Sequence, residues 1–135
     1  MCLTLWSINL FRVTRESLNL GIESCKPGSW LRSIGHSIHK NAKKQGFSVV
    51  PIFLGHGIGS FLHGPPDIYH CLNNYPRQMQ PGMVFTIEPV LSEGDWRKIQ
   101  FLEDGWTYTT LDQARTAQIE HTVLITDTGV EILTE

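Results

Sequence analysis

The sequence predicts an α+β domain, with helices packed on one face of a mostly antiparallel sheet. Three observations carry that expectation: two amphipathic helical periodicities within the first 46 residues, a series of short branched and aromatic runs after them, and no regular alternation of strand and helix.

Thr14 is placed to cap a first helix in which Leu18, Ile22 and Cys25 recur at spacings of four and three, and Lys26-Pro27-Gly28 ends it. Ser29 reads as the next cap. From there Leu31, Ile34, Ile38 and Ala42 form the apolar stripe of a second helix, with Lys40, Lys43 and Lys44 in its last turn and Gly46 where a C-terminal cap belongs. Residues 47–54 suit a buried strand, and Gly55 to Gly59 place glycines on both sides of His56. Pro65-Pro66, Asn73-Asn74, Pro76 and Pro81-Gly82 mark a long irregular connection. Residues 83–90 then read as a strand, and further strands are expected at 98–102, 106–110, 117–126 and 130–133. Asp127-Thr128-Gly129 turns between the last two.

A length of 135 residues, 41% of them hydrophobic, fits one ordinary domain. Eleven Lys plus Arg against thirteen Asp plus Glu leave a net charge of −2, which provides no long-range attraction to nucleic acid or an anionic membrane surface. No apolar stretch has the length of a bilayer-spanning helix. Cys2, Cys25 and Cys71 are odd in number and lack a C-x-x-C spacing, so they signal neither a disulfide framework nor a thiolate zinc site. The apolar start, residues 1–11, has no basic segment ahead of it and resembles neither a secretory signal nor a transit peptide.

Three polar residues interrupt apolar or glycine-rich surroundings: His56, Glu88 in Phe85-Thr86-Ile87-Glu88-Pro89, and Glu120 in Gln118-Ile119-Glu120-His121-Thr122. An ionised glutamate in a central strand costs several kcal/mol unless paired, hydrogen-bonded or bound to a metal. Glu88 and Glu120 therefore suggest a buried salt bridge or a cation site, with solvated faces as the bland alternative. One imidazole and two carboxylates form a borderline-to-hard ligand set suited to Mn²⁺, Fe²⁺, Co²⁺ or Zn²⁺. Alternation puts Glu88 on the face of Val84 and Thr86, and Glu120 on that of Gln118 and Thr122. His63, seven residues after His56, can reach the same cavity as a proton donor or oxyanion stabiliser, or is a surface loop histidine. Trp106 can line an apolar pocket or simply join the core. His70, His36 and His39 carry no pattern, the helical pair being expected to face solvent, and His121 points away from the face of Glu120. Nucleophile-elbow, phosphate-loop and dinucleotide-binding signatures are absent.

Gly55-His56-Gly57-Ile58-Gly59, His63, Pro81-Gly82-Met83-Val84-Phe85-Thr86-Ile87-Glu88-Pro89, Asp104-Gly105-Trp106-Thr107 and Ala117-Gln118-Ile119-Glu120-His121-Thr122 resemble, in order and spacing, the type I methionine aminopeptidases. The resemblance runs from about Ser17 to the end, and Gly59-Ser60-Phe61-Leu62-His63-Gly64 is worded most like the animal mitochondrial form. It implies the pita-bread (creatinase/aminopeptidase) fold, of which residues 14–135 would be the C-terminal half behind an unrelated leader at 1–13. It also implies removal of the N-terminal methionine from nascent polypeptides by metal-activated water, with two divalent ions (Co, Mn, Fe or Zn) per site. His56 and Glu88 would then be ligands of one metal and Glu120 a bridging ligand. His63 would be a catalytic histidine contacting the scissile peptide, and Trp106 would lie near the methionine pocket.

The same resemblance leans toward a mitochondrial location, with a cytoplasmic one left open because no transit segment is seen, and toward the ribosome as a partner. The family draws two further ligands, both aspartates, from strands preceding this region, whereas the first 66 residues here contain no Asp. Weak metal binding and impaired catalysis are therefore expected, and the alternative is a non-catalytic, truncated form that binds a partner.

Overall fold

The first helix is longer than its cap signal implies. The computed structural model of the chain describes residues 5–134, and in it α1 runs Leu5–Glu23. Thr14 sits inside that helix, where its hydroxyl donates to the Leu10 carbonyl at 2.8 Å instead of capping an end. Leu10 and Val13 are buried and extend the apolar face of Leu18, Ile22 and Cys25, so residues 5–13 continue the helix. Cys2 and the rest of residues 1–4 lie outside the described residues.

The second helix, α2 (Arg32–Lys44), starts two residues later than a cap at Ser29 would place it. Ser29 is not its cap. Its carbonyl accepts the Met79 N–H at 2.7 Å and the Leu31 N–H reaches Arg77 O at 2.9 Å, so the entry to α2 is pinned by backbone pairing to a distant segment. The C-terminus follows the sequence reading. Gly46 adopts φ +83, which a residue with a Cβ resists, while its N–H bonds Lys43 O at 3.2 Å and Phe47 N–H bonds Ala42 O at 2.9 Å. Leu31, Ile34, Ile38 and Ala42 are all buried, and Asn41 donates to Ser17 Oγ at 3.1 Å where the two helices meet.

The strands are shorter and more broken than the apolar runs suggest. They are β1 (Ser48–Val49), β2 (Gly55–Gly57), β3 (Gly64–Ile68), β4 (Val84–Ile87), β5 (Val90–Ser92), β6 (Ile99–Phe101), β7 (Tyr108–Thr110), β8 (Thr116–Gln118), β9 (His121–Ile125) and β10 (Val130–Ile132). Every pairing among them is antiparallel. The sheets are ordered β10-β9-β4-β2-β3, β1-β5-β8 and β6-β7. His56 thus lies in a strand, not in a glycine turn. Pro65 and Pro66 lie in β3, which tolerates residues without an N–H because it is the edge of its sheet.

The run 83–90 divides into β4 and β5, and the run 117–126 into β8 and β9. At both breaks the chain leaves one sheet and enters the other, and Pro89, which cannot donate a ladder bond, stands at the first. β4 and β9 pair Ile87 with His121, while β5 and β8 pair Val90 with Gln118. Extending either ladder sets Glu88 opposite Glu120. Around this crossing, Phe85, Ile87, Leu91, Val123 and Ile125 join Leu18, Ile34, Ile38 and Ile68 in a single core under the helices. No helix among the described residues is long and apolar enough to cross a membrane.

Burial pushes the Cys25 thiol up to about 12, a hydrogen bond involving Ser24 only partly offsetting it. Cys71 is half-buried, and its thiol is raised by the same cause. Brief alkylation of the native chain, read by peptide mapping, is expected to mark Cys71 well ahead of Cys25. Denaturant should equalise them. Equal labelling before denaturation would contradict the burial of Cys25 in the core.

Candidate metal centre

β2 threads between β3 and β4 with almost no room for side chains on either side of His56. A Cβ at Gly55 would run into the Thr86 carbonyl of β4, and one at Gly57 into the Pro65 carbonyl of β3. The flanking glycines therefore serve close approach of backbone to backbone, which holds the His56 ring over the end of the sheet.

His56 and Glu88 meet there, with His56 Nε2 3.5 Å from Glu88 Oε1. His56 Nδ1 lies 3.2 Å from the Gly57 carbonyl, a bond that requires the proton on Nδ1 and leaves the Nε2 lone pair facing the carboxylate. The buried Thr86 hydroxyl accepts the His56 N–H at 3.0 Å and donates to Glu88 Oε1 at 2.8 Å, joining the two candidate ligands through one oxygen. Gln118 Nε2 donates to Glu88 Oε2 at 3.2 Å and to its carbonyl at 3.3 Å. The His63 ring packs edge-on against His56, centroids 4.3 Å apart, and is exposed at the mouth of the cluster.

Burial holds the Glu88 carboxyl above the ordinary carboxylate value. The Thr86 hydroxyl opposes that, the nearby negative charge of Glu120 adds to it, and His56 and His63 draw it back down. Two carboxylates facing each other across a strand crossing, with an imidazole lone pair beside them, repel unless a proton or a cation lies between them. The donor chemistry fits a divalent cation of borderline-to-hard character. Among the described residues no three His, Cys, Asp or Glu side chains form a ready-made cage. Glu120 is exposed, and its nearness is that of the strand register and of its charge on Glu88.

The remaining sequence candidates divide between surface and interior. Trp106 stands 86% exposed beside Gly105 in the turn joining β6 and β7, not in the core. His121 Nδ1 lies 3.1 Å from Thr134 Oγ1, on the side away from the cluster. His36 is exposed, with Nε2 2.9 Å from Asn73 O, but His39 is half-buried, its Nδ1 shut off from solvent instead of facing it.

Thr86, Gln118 and His70 are the residues the motif reading passes over. Alternation does place Thr86 and Gln118 two positions from the glutamates, on their faces. His70 has no local signal, yet it is 1% exposed, with Nδ1 3.2 Å from Phe53 O and Nε2 accepting the Glu88 N–H at 3.0 Å.

The chain is similar to known proteins over nearly all of its length. The chain is 49% identical over 97% of its length to a methionine aminopeptidase of Salmonella typhimurium, of which it spans 50%. It is 45% identical over 93% of its length to the human "Methionine aminopeptidase 1D, mitochondrial", spanning 37% of that protein. The crystal structure of methionine aminopeptidase from Rickettsia prowazekii superposes with a TM-score of 0.93 and 38% identity, covering 98% of this chain and 54% of the other. The chain thus spans between a third and a half of the length of the curated relatives it matches, and its helices and antiparallel sheets are those of the pita-bread fold. A match to the family described as "Metallopeptidase family M24" covers residues 4–127. Those residues include β2, β4 and the passage from β8 to β9, where His56, Glu88 and Glu120 lie, and the chain belongs to this metallopeptidase family.

Proposed function

We propose that the chain carries one half of a methionine-aminopeptidase site, in which His56, Glu88 and Glu120 hold a divalent cation and His63 meets the substrate peptide. The observation that supports this reading is the convergence of an Nε2 lone pair and the two glutamates at the crossing of the sheets. The substrate would be the N-terminal methionine of a nascent polypeptide, and Co, Mn, Fe or Zn, two ions in the complete family site, would be the metal. The relatives that match include both bacterial and mitochondrial proteins. A mitochondrial location belongs to this proposal.

A bound divalent cation supplies Lewis-acid stabilisation of developing negative charge and activation of water. The chain's own residues do the rest. Thr86 and Gln118 each hold one carboxylate oxygen of Glu88, so the group is oriented before substrate arrives. Exposed at the mouth, His63 is free to donate toward the scissile carbonyl oxygen. Glu88, held through both carboxylate oxygens beside the cation it would bind, is placed to relay a proton from water to the leaving amine.

Release of methionine from a Met-Ala-Ser peptide, with Mn²⁺, Co²⁺ or Zn²⁺ supplied in turn, tests activity, and titration with Mn²⁺ tests the site directly. Glu88→Ala is expected to lower Mn²⁺ affinity by about tenfold or more. Glu120→Ala should abolish whatever turnover the chain shows. Unchanged Mn²⁺ binding in both variants would remove the proposal.

A further inference from the structure

The Glu88 backbone N–H has no ladder partner of its own. β4 ends at Ile87, Pro89 follows, and the ladder resumes in another sheet at Val90. A buried orphan N–H at the base of a candidate ligand would leave that ligand loosely set. His70 Nε2 takes the bond at 3.0 Å.

The other face of the same ring is equally committed. Gly55 of β2 pairs with Ile68 of β3, so two residues further out along each strand Phe53 and His70 confront one another, and His70 Nδ1 lies 3.2 Å from the Phe53 carbonyl. An imidazole that accepts through Nε2 must carry its proton on Nδ1, which is the atom facing that carbonyl. The two bonds select one neutral tautomer and support each other.

Phe53 leads into β2, which carries His56, and Glu88 leaves β4. One buried ring therefore ties together the bases of the two strands whose side chains meet 3.5 Å apart. We propose that His70 is a positioning residue: it braces the entry of β2 against the exit of β4 and so sets the separation of His56 Nε2 from the Glu88 carboxylate. This rests on the reading of His56 and Glu88 as cation ligands.

Two substitutions separate the two ends of the brace. His70→Asn keeps an N–H donor at the δ position for Phe53 but has nothing that reaches Glu88. His70→Gln presents an acceptor at the ε position for the Glu88 N–H and gives up the Phe53 bond. Each loses one end of the brace, so positioning predicts weakened Mn²⁺ binding in both, whereas a purely structural role predicts lower stability with Mn²⁺ affinity unchanged. With ¹⁵N-labelled chain, amide exchange at Glu88 is expected to accelerate in His70→Asn and stay slow in His70→Gln. Mn²⁺ affinity should fall by roughly tenfold in both variants, since either loss frees one end of the brace.

Parent-like Mn²⁺ affinity in either variant overturns the proposal. If the parent chain itself binds no Mn²⁺, the metal-site reading fails, and the brace is then judged by Glu88 exchange alone. A measurement without any variant completes the test. The scalar coupling across the hydrogen bond between the Glu88 amide nitrogen and His70 Nε2 is expected in the parent, and its absence overturns the brace even if both variants fail to fold.

Discussion

Gly57→Ala is expected to destabilise the chain by about 3 kcal/mol or more and to abolish Mn²⁺ binding with it, a large effect for one methyl group. The added carbon would overlap the Pro65 carbonyl carbon and oxygen and crowd the Gly64 carbonyl, all of them backbone atoms of β3 that cannot swing aside as a side chain would. Relief requires β2 to separate from β3 at the place where the ladder between them already shifts register. Separation would carry His56 away from Glu88. Gly55→Ala strikes the opposite neighbour, at the Thr86 carbonyl of β4, and should act in the same direction. Gly59→Ala is the control, since nothing lies within 4 Å of its new carbon, and it is expected to stay within about 0.5 kcal/mol of the parent. His56→Ala should lose cation binding while keeping most of the stability, because that half-buried ring contributes donors more than packing. Urea midpoints for the four variants decide it, and a Gly57→Ala chain as stable as Gly59→Ala would refute the threaded arrangement of β2.

The glycines show how much of this site the sequence makes legible. Gly55 and Gly57 mark His56 as unusual, but a glycine-rich run signals a turn as readily as a strand squeezed between two backbones, and only the non-local pairing with β3 and β4 distinguishes them. The helices read well because their stripes, Leu18-Ile22-Cys25 and Leu31-Ile34-Ile38-Ala42, are local periodicities with one answer. Their starts read poorly. Thr14 satisfies its hydroxyl inside the helix, and Ser29 is used by a distant segment at Met79. Glu88 and Glu120 stand out as carboxylates inside apolar runs, and alternation correctly puts Thr86 and Gln118 on their faces. It cannot show that each run changes sheet at its glutamate, since period two is the same in either sheet. Of the two readings of Trp106, exposure rules out the core one: a large aromatic predicts burial on average, and a hairpin turn at Gly105 exposes it. His70 was beyond reach because its meaning depends on Phe53 and Glu88, each eighteen or fewer residues away in sequence but on three different segments of the fold.

Acidification from neutral pH to about 4 is expected to remove on the order of 3 kcal/mol of stability through His70 alone. Burial lowers its imidazole from 6.5 to about 4, and the bond to the Phe53 carbonyl only partly offsets that. Between those values the unfolded chain takes up a proton that the folded chain refuses, so the contribution is complete above 6.5 and is lost as pH falls toward about 4. The refusal has a structural cause. A protonated Nε2 would present a donor to the Glu88 N–H, itself a donor, inside a site closed to water. Glu88 works in the opposite sense, since a carboxyl held above its ordinary 4.5 binds a proton more readily in the folded state and favours it as pH falls. That contribution is the smaller one, because Glu88 is only half-buried and Thr86, His56 and His63 all act to restore its ordinary value. The net slope is therefore a loss of stability toward acid. His70→Gln, which cannot protonate, should flatten it, and the difference between parent and variant denaturation midpoints across this pH range isolates the His70 share from that of Glu88. Parallel curves would mean that His70 already titrates normally in the folded chain, which is incompatible with a ring buried between Phe53 and Glu88.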